Sequence, residues 1–397
     1  MGTDVKHSIR FFTVNFVTAI LLAVTGASIL SAQTTSELYQ ERKTESNENT
    51  VTLMAAGITG TYAPIAQDIQ SIVDEPEKVD GMRVLPILGR GGGHNVLDVL
   101  FLRGVDMGIT QQEHLEFFKR QNPVLYANIY DRVHYITKLY NSEYHLLVPK
   151  SVTNLSQLEG QKVNFYKKFS ATDIAGVTIF DILGIKVEAT YTDLKTSIQQ
   201  VKDGEIAAAT YLAGAPISGF TTYVKPEDNL HFLPLSPETL PEGGFEALLK
   251  VFLPATLSND TYPDIVPSGQ TVSTVASGAV LAVYNWQEAT DRYRRLAKFT
   301  DAFFSKFDEF LKPPRHPKWQ EINLAVNVPG WTRFKPAQQW LDRQKTASSG
   351  GDIKQAFEQF LQGRPDNGEL SEEQRAKLFN EFMNWWQNRA QVSTTSQ

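Results

Sequence analysis

The feature that most constrains the fold of this 397-residue chain is a repeated change of hydrophobic period. From Val51 onward, short apolar runs alternate with longer amphipathic stretches. The runs are Val51–Ala56, Arg83–Leu88, Val105–Thr110, His145–Val148, Lys162–Tyr166, Ile206–Tyr211, Phe232–Leu235 and Val280–Tyr284. Each is short and bounded by turn residues, the pattern of a strand buried on both faces. Between them the spacing predicts helices over 62–73, 95–103, 112–121, 172–183, 193–202 and 288–311, with Gly184 and Gly204 where two of them end. Strand and helix in alternation give α/β layers with largely parallel sheets.

The length supports two domains. Boundaries are expected near Pro149 and Pro254, so that 149–254 forms one lobe while 51–148 and 255–334 combine into the other. The chain then crosses between lobes at least twice, and those crossovers serve as a hinge. The tail, 335–397, is a helical extension. In it Ala347–Asp352 is a Gly/Ser-rich linker, followed by amphipathic helices over 353–361 and 371–389. Ser371 and Gln374 have capping-box spacing. The second helix carries Leu378, Phe379, Phe382, Met383, Trp385 and Trp386 on one broad apolar face, either packed on the main body or docking a partner.

At the other end, Lys6 and Arg10 precede an uncharged, mostly apolar stretch to Leu30, and small residues follow at Ser31 and Ala32. That order is the order of a signal peptide, 1–32, cut near Ala32. The alternative is an uncleaved anchor, since the stretch is long enough to span a bilayer. Both place the remainder outside the inner membrane, in the periplasm. Residues 33–50 are polar and without apolar periodicity, and read as a disordered leader.

Several chemistries are set aside by the residues themselves. There is no cysteine, which removes disulfides, thiolate metal sites and a cysteine nucleophile. A net charge of −6 gives no global attraction for nucleic acid. His94, His114, His134 and His145 lack ligand spacing, so neither a metal nor another cofactor is expected. No zinc-protease, nucleophile-elbow or Walker motif occurs, and no catalytic residue is assigned. Gly89-Arg90-Gly91-Gly92-Gly93-His94 is Gly-rich and follows a strand, but it lacks the dinucleotide spacing.

What remains is a set of strand-to-helix turns rich in small and hydroxyl residues. They are Gly57–Tyr62, Gly91–Asn95, Gln111–Gln112, Lys167–Thr172 and Tyr211–Pro216. In open α/β sheets such turns collect at the carboxyl ends of the strands, where ligands bind. Each residue has a plain alternative. Thr61, Asn95 and Thr172 are either helix caps or ligand contacts; Tyr62 and Tyr211 are either core aromatics or cleft walls; Lys167 and Lys168 are either surface charges or cleft cations.

The order of these segments resembles the TAXI branch of the solute-binding proteins of tripartite ATP-independent periplasmic (TRAP) transporters. Met54–Tyr62 is similar to the opening Gly-Thr-Tyr motif. Gly92–Asn95, then Leu102–Asp106 running to Gln111, is similar to the family's Asn-containing helix and the strand after it. Ser156–Val163 followed by Ser170–Thr172 resembles its Ser-Gly-Thr turn, and Val201–Ala208 with Ala213–Pro216 is the nearest match. Thr261-Tyr262, upstream of Thr271–Tyr284, resembles a late motif and the returning strand. The likeness spans about residues 50–290.

The resemblance implies a two-lobe type II periplasmic-binding-protein fold, no catalysis, and a small polar, anionic ligand of amino-acid or dicarboxylate type delivered to TRAP permease subunits. It implies ligand contacts at Thr59, Thr61, Tyr62, Asn95, Gln111, Ser170, Thr172, Ala213 and Gly214. An ABC-importer binding protein, or an orphan sensor docking a partner through the C-terminal helices, stand as alternatives. The chain departs from the family at Ala63, at Ala171, and at Tyr166-Lys167-Lys168-Phe169, which replaces a Gly-rich stretch. The two added lysines would favour a more highly charged anion if they faced the cleft.

Overall fold

The computed structural model describes residues 35–345 apart from 79–80, together with Phe357 and Leu378. The expected signal peptide, 1–32, lies outside the described residues, as do nearly all of the expected helices over 353–361 and 371–389. The chain divides into two compact units, Met1–Phe334 and Lys335–Gln397. Among its described residues the second unit carries a helix over 335–345.

The first unit opens with helix α1 (35–48), where a disordered leader was expected. Its Glu, Lys and Arg residues are good helix formers, and Arg42 pairs with Glu45 one turn on at 2.9 Å. Then follow β1 (Thr50–Met54), α2 (Tyr62–Val73), β2 (Arg83–Ile87), α3 (Gly93–Phe101), β3 (Met107–Gln111), α4 (His114–Gln121), α5 (Ile129–Arg132) and the long β4 (Val133–Pro149). The chain continues through β5 (Lys162–Asn164), α6 (Ala171–Ile182), β6 (Glu188–Thr190), α7 (Leu194–Lys202), β7 (Ala208–Ala213), α8 (Ser218–Tyr223), β8 (Leu230–Phe232) and α9 (Gly244–Leu248). It closes with β9 (Leu253–Ser258), β10 (Thr271–Tyr284), α10 (Asp291–Ser305) and α11 (Phe307–Phe310).

The expected α/β alternation is the observed one, and α2 has the predicted bounds. Gly184 and Gly204 take positive φ, 67° and 72°, just beyond α6 and α7, where an L side chain would be strained. The single helix expected over 288–311 is two, because Thr290 caps α10 by accepting from the Tyr293 amide at 3.3 Å and the chain breaks at Lys306.

The strands form one sheet in the order β2-β1-β3-β10-β4-β7-β5-β6, with β8 on β4 and β9 on β10. The two ends are parallel: β2, β1 and β3 at one, and β7, β5 and β6 at the other. The middle is antiparallel and made of two long strands, β4 and β10, each shared by both halves. β4 lies against β10 over its first part and against β7 from Glu143 to Leu147. Register shifts interrupt the β10–β4 pairing between Gly278 and Val280 and between Leu281 and Ala282. Such irregularities bend a sheet locally.

Packing separates the halves into two lobes. In the second lobe the faces of β4 and β7 alternate between two cores. Tyr144, Leu146, Ala208 and Leu212 join Val163, Phe165 and Ile179 on one side. Leu147, Ala209 and Tyr211 join Ile198, Phe220 and Tyr262 on the other. The first lobe packs Val96, Leu115, Phe118, Val133, Tyr135 and Val280.

This packing moves the boundaries expected at Pro149 and Pro254. Tyr144 and Leu146 already belong to the second core, and so do Leu257, Tyr262 and Val275. The crossovers lie inside β4 and β10. Pro149 ends β4 and Pro254 is the second residue of β9, and an unbroken strand gives no sign in the sequence of where it passes between cores. The first part of β4 was hidden for a related reason: Lys138, Asn141, Ser142 and Glu143 interrupt its apolar run. β6 and β9 were missed because neither carries a buried run.

Candidate functional site

The turns that follow β1, β2, β5 and β7 meet between the lobes. They line a narrow cavity of about 30 Å³ that opens to solvent. Thr61, Tyr62, Arg90, Gly91 and Gly92 line it from the first lobe. Tyr166, Ser170, Thr172, Tyr211 and Ala213 line it from the second.

The lobes are closed on each other around this cavity. Thr61 Oγ1 donates to the Gly214 carbonyl at 2.6 Å, and the hydroxyls of Thr59 and Tyr211 lie 3.3 Å apart. The Gly93 amide donates to the Phe169 carbonyl at 3.0 Å, and His94 Nε2 lies 2.9 Å from the Lys168 carbonyl. At Gly92 the approach is closest. Its φ is 56°, and a Cβ there would sit 2.1 Å from the Ala171 nitrogen. Only glycine permits this contact of backbone on backbone.

The expected contacts divide by what their polar atoms do. Thr61 stands at the start of α2 but makes no side-chain cap; its hydroxyl crosses the cleft instead. Ser170 lines the cavity and caps α6, accepting from the Asp173 amide at 3.2 Å. Thr172 also lines it, and its hydroxyl accepts from the Leu212 amide at 3.0 Å, tying α6 to β7. Thr59 and Gly214 serve the contact between lobes rather than the wall.

Asn95 and Gln111 stand behind the wall, both fully buried. Asn95 Nδ2 donates to the carbonyls of Met54, Ala55 and Ile109 at 3.1, 3.0 and 2.8 Å, stapling the ends of β1 and β3. Gln111 Nε2 donates to the Tyr62 hydroxyl at 2.7 Å and to Ser142 Oγ at 3.0 Å, so it positions Tyr62. Lys167 and Lys168 are exposed, their ammonium groups over the Tyr166 and Tyr191 rings at 5.1 and 5.2 Å. Neither lines the cavity.

Arg90 and Tyr166 were not among the expected contacts. The signal for Arg90 lies in its glycine-flanked turn, just ahead of the Gly91–Asn95 turn expected at the site. Tyr166 read as a strand end; it takes φ 65° and packs edge-on to Tyr211 at 5.1 Å. A left-handed tyrosine is a backbone outlier of the kind held at binding sites by the structure around it.

Buried charge lies below the cavity, near the crossovers. Lys318 Nζ is 2.5 Å from Glu143 Oε1 and 2.6 Å from Glu321 Oε1, while Glu143 Oε2 accepts from the Ala215 amide at 2.9 Å. Burial pushes the Glu143 carboxyl up and Lys318 pulls it back. Burial also raises Glu113 to about 7, against the pull of a hydrogen bond from Ser277 on β10. Buried His114 and His145 are lowered to about 3. His145 Nδ1 lies 2.9 Å from the Glu143 carbonyl and Nε2 lies 2.8 Å from the Tyr262 hydroxyl. A neutral ring with its proton on Nδ1 satisfies both. Among the described residues no group of three or more His, Asp or Glu side chains is placed to hold a metal ion, and no helix is long and apolar enough to cross a membrane.

A sheet of this order, with two antiparallel crossover strands and a cavity walled from both halves, is the two-lobed fold of periplasmic binding proteins. The chain belongs to the NMT1-like family, whose sequence profile matches residues 53–327. No curated protein matches it in sequence. Among solved structures it is similar to one described as a periplasmic transporter, at 11% identity over 77% of this chain and 96% of that one, with a TM-score of 0.43. It is also similar to malate-bound MatC from Rhodopseudomonas palustris, at 13% identity over 65% and 84% of the two chains and a TM-score of 0.41. A third is a periplasmic sulfonate-binding protein of an ABC transporter from Methylobacillus flagellatus, at 13% identity over 71% and 75% and a TM-score of 0.39.

Proposed function

We propose that this protein is an exported solute-binding protein that captures a small polar, anionic organic ligand between its lobes and passes it, unreacted, to a membrane permease. The observation that carries the reading is the cavity itself, whose wall draws Thr61, Tyr62 and Arg90 from one lobe and Ser170, Thr172 and Tyr211 from the other. A ligand that touches both lobes favours the closed state, so binding shifts the open–closed population. The bends in β10 at Gly278–Val280 and Leu281–Ala282 are where the sheet yields.

Delivery to a TRAP permease rests on the order of the motifs between residues 50 and 290. ABC importers use binding proteins of the same architecture, and co-expression with each type of permease separates the two. The binding reading is tested by calorimetric titration of the purified protein with amino acids, dicarboxylates and other organic acids, with small-angle scattering on the same samples. Saturable binding with a smaller radius of gyration is expected. Binding without compaction refutes closure, and turnover of the ligand refutes the non-catalytic reading.

A further inference from the structure

The cavity wall narrows the chemistry of the ligand. Of the fourteen residues that form it, Arg90 is the one with a formal charge. Its guanidinium makes no hydrogen bond or ion pair with the described residues. No carboxylate lines the wall; the half-buried Asp98 of α3, outside it, feels the Arg90 charge. Glu143 is tied to Lys318 and to the Ala215 amide, and Asp173 Oδ2 accepts from the Phe169 amide at 2.7 Å. An ammonium group entering the cavity would therefore give up its water without gaining a counter-charge, which is costly.

The rest of the wall is mostly apolar and aromatic. The Tyr62 hydroxyl accepts from Gln111 behind the wall, and the Tyr211 hydroxyl is engaged with Thr59. The wall that these tyrosines help to form is mostly carbon. Tyr166 stands edge-on to Tyr211, with ring planes 75° apart, and its left-handed backbone fixes where that ring projects. Aromatic edges and faces at such angles accept another flat ring or a planar unsaturated chain.

We propose that Arg90 and the Tyr62–Tyr166–Tyr211 wall select a monoanion with a flat apolar body, an aromatic or unsaturated carboxylate or sulfonate, over amino acids and dicarboxylates. This rests on reading the inter-lobe cavity as the ligand site. The guanidinium takes the acid group as a paired donor, and the rings take the body.

The test titrates the full purified chain with benzoate, benzenesulfonate and cinnamate, and with glutamate, malate and the neutral isostere benzamide. The aromatic acids are expected to bind at least ~10-fold more tightly than benzamide, glutamate or malate, as a charge-assisted bidentate contact implies. Arg90→Gln should weaken the acids by roughly 10- to 100-fold and leave benzamide unchanged, while Arg90→Lys should recover part of the loss. Because Arg90 is exposed, these variants should melt with the wild type. Glutamate or malate binding as tightly as benzoate, or Arg90→Gln without effect on the acids, overturns the ligand class while leaving a solute-binding protein. No binding and no compaction with any compound overturns the ligand class and counts against the solute-binding reading as well.

Discussion

Gly92 offers the most direct test of lobe closure. In the closed form a Cβ on this residue would stand 2.1 Å from the Ala171 nitrogen and 2.8 Å from the Ser170 carbonyl carbon, both backbone atoms. Ordinary contact begins near 3.4 Å, so Gly92→Ala is short by about 1.3 Å, and no side-chain rotation can relieve it. The overlap exists only when the lobes meet. Overpacking of this kind costs about 1–3 kcal/mol, which lowers the closed population, and with it ligand affinity, by roughly 5- to 150-fold. A second cost, about 1–3 kcal/mol for a non-glycine residue at φ 56°, ψ −122°, is carried by open and closed forms alike. It lowers the melting temperature without affecting affinity. Gly104→Ala separates the two costs, because Gly104 also has positive φ, 84°, but has nothing within 4 Å of its Cβ position. Both variants should melt early, and only Gly92→Ala should lose affinity and ligand-induced compaction in calorimetry and small-angle scattering. If Gly92→Ala binds and compacts like the wild type, the closed geometry described for this turn is not the ligand-bound one.

Three further outcomes are expected. Lys318→Met strands the buried Glu143 carboxylate and should cost about 3–5 kcal/mol in urea unfolding, part of it restored in the Glu143→Gln/Lys318→Met double variant; additive losses would show that the pair is not coupled. Asn95→Ala frees three carbonyls at the ends of β1 and β3 and should cost about 1–3 kcal/mol while leaving ligand affinity intact; a loss of affinity at unchanged stability would return Asn95 to the ligand contacts. Burial holds Glu113 at about 7 in the folded protein, above its ordinary 4.5, so the native state binds that proton more tightly than the unfolded chain does. Its contribution is present below pH 4.5 and is lost as pH rises to 7. Relative to Glu113→Gln, the wild type should therefore lose stability across that window, by at most about 3 kcal/mol. His114 and His145 work in the opposite direction, since neutral buried imidazoles lose stability as pH falls from 6.5 toward 3. The comparison with Glu113→Gln cancels their slope, and a flat difference would refute the assignment.

What the chain could declare by itself was whatever depends on neighbours in sequence. The 3.6-residue spacing of Ile65, Ala66, Ile69 and Val73 sets α2, and the glycines after α6 and α7 set their ends, because helix geometry and capping act within a few residues. The strand-to-helix turns that would hold a site were legible for the same reason, and so was the α/β class. Tertiary structure alone decided which polar atoms face the cavity. Thr61 has the spacing of a cap, yet its hydroxyl spans to Gly214, 153 positions away. The amide nitrogens of Asn95 and Gln111, both expected as contacts, serve strand ends and Tyr62, while their buried oxygens have no hydrogen-bond partner among the described residues. Arg90 becomes a cavity cation only because β2 lies beside β1, opposite the turn after β5. The crossovers in β4 and β10 were hidden because a strand that passes from one core to the next keeps the same period throughout. Its change of partners is written in long-range pairing, which no local pattern encodes.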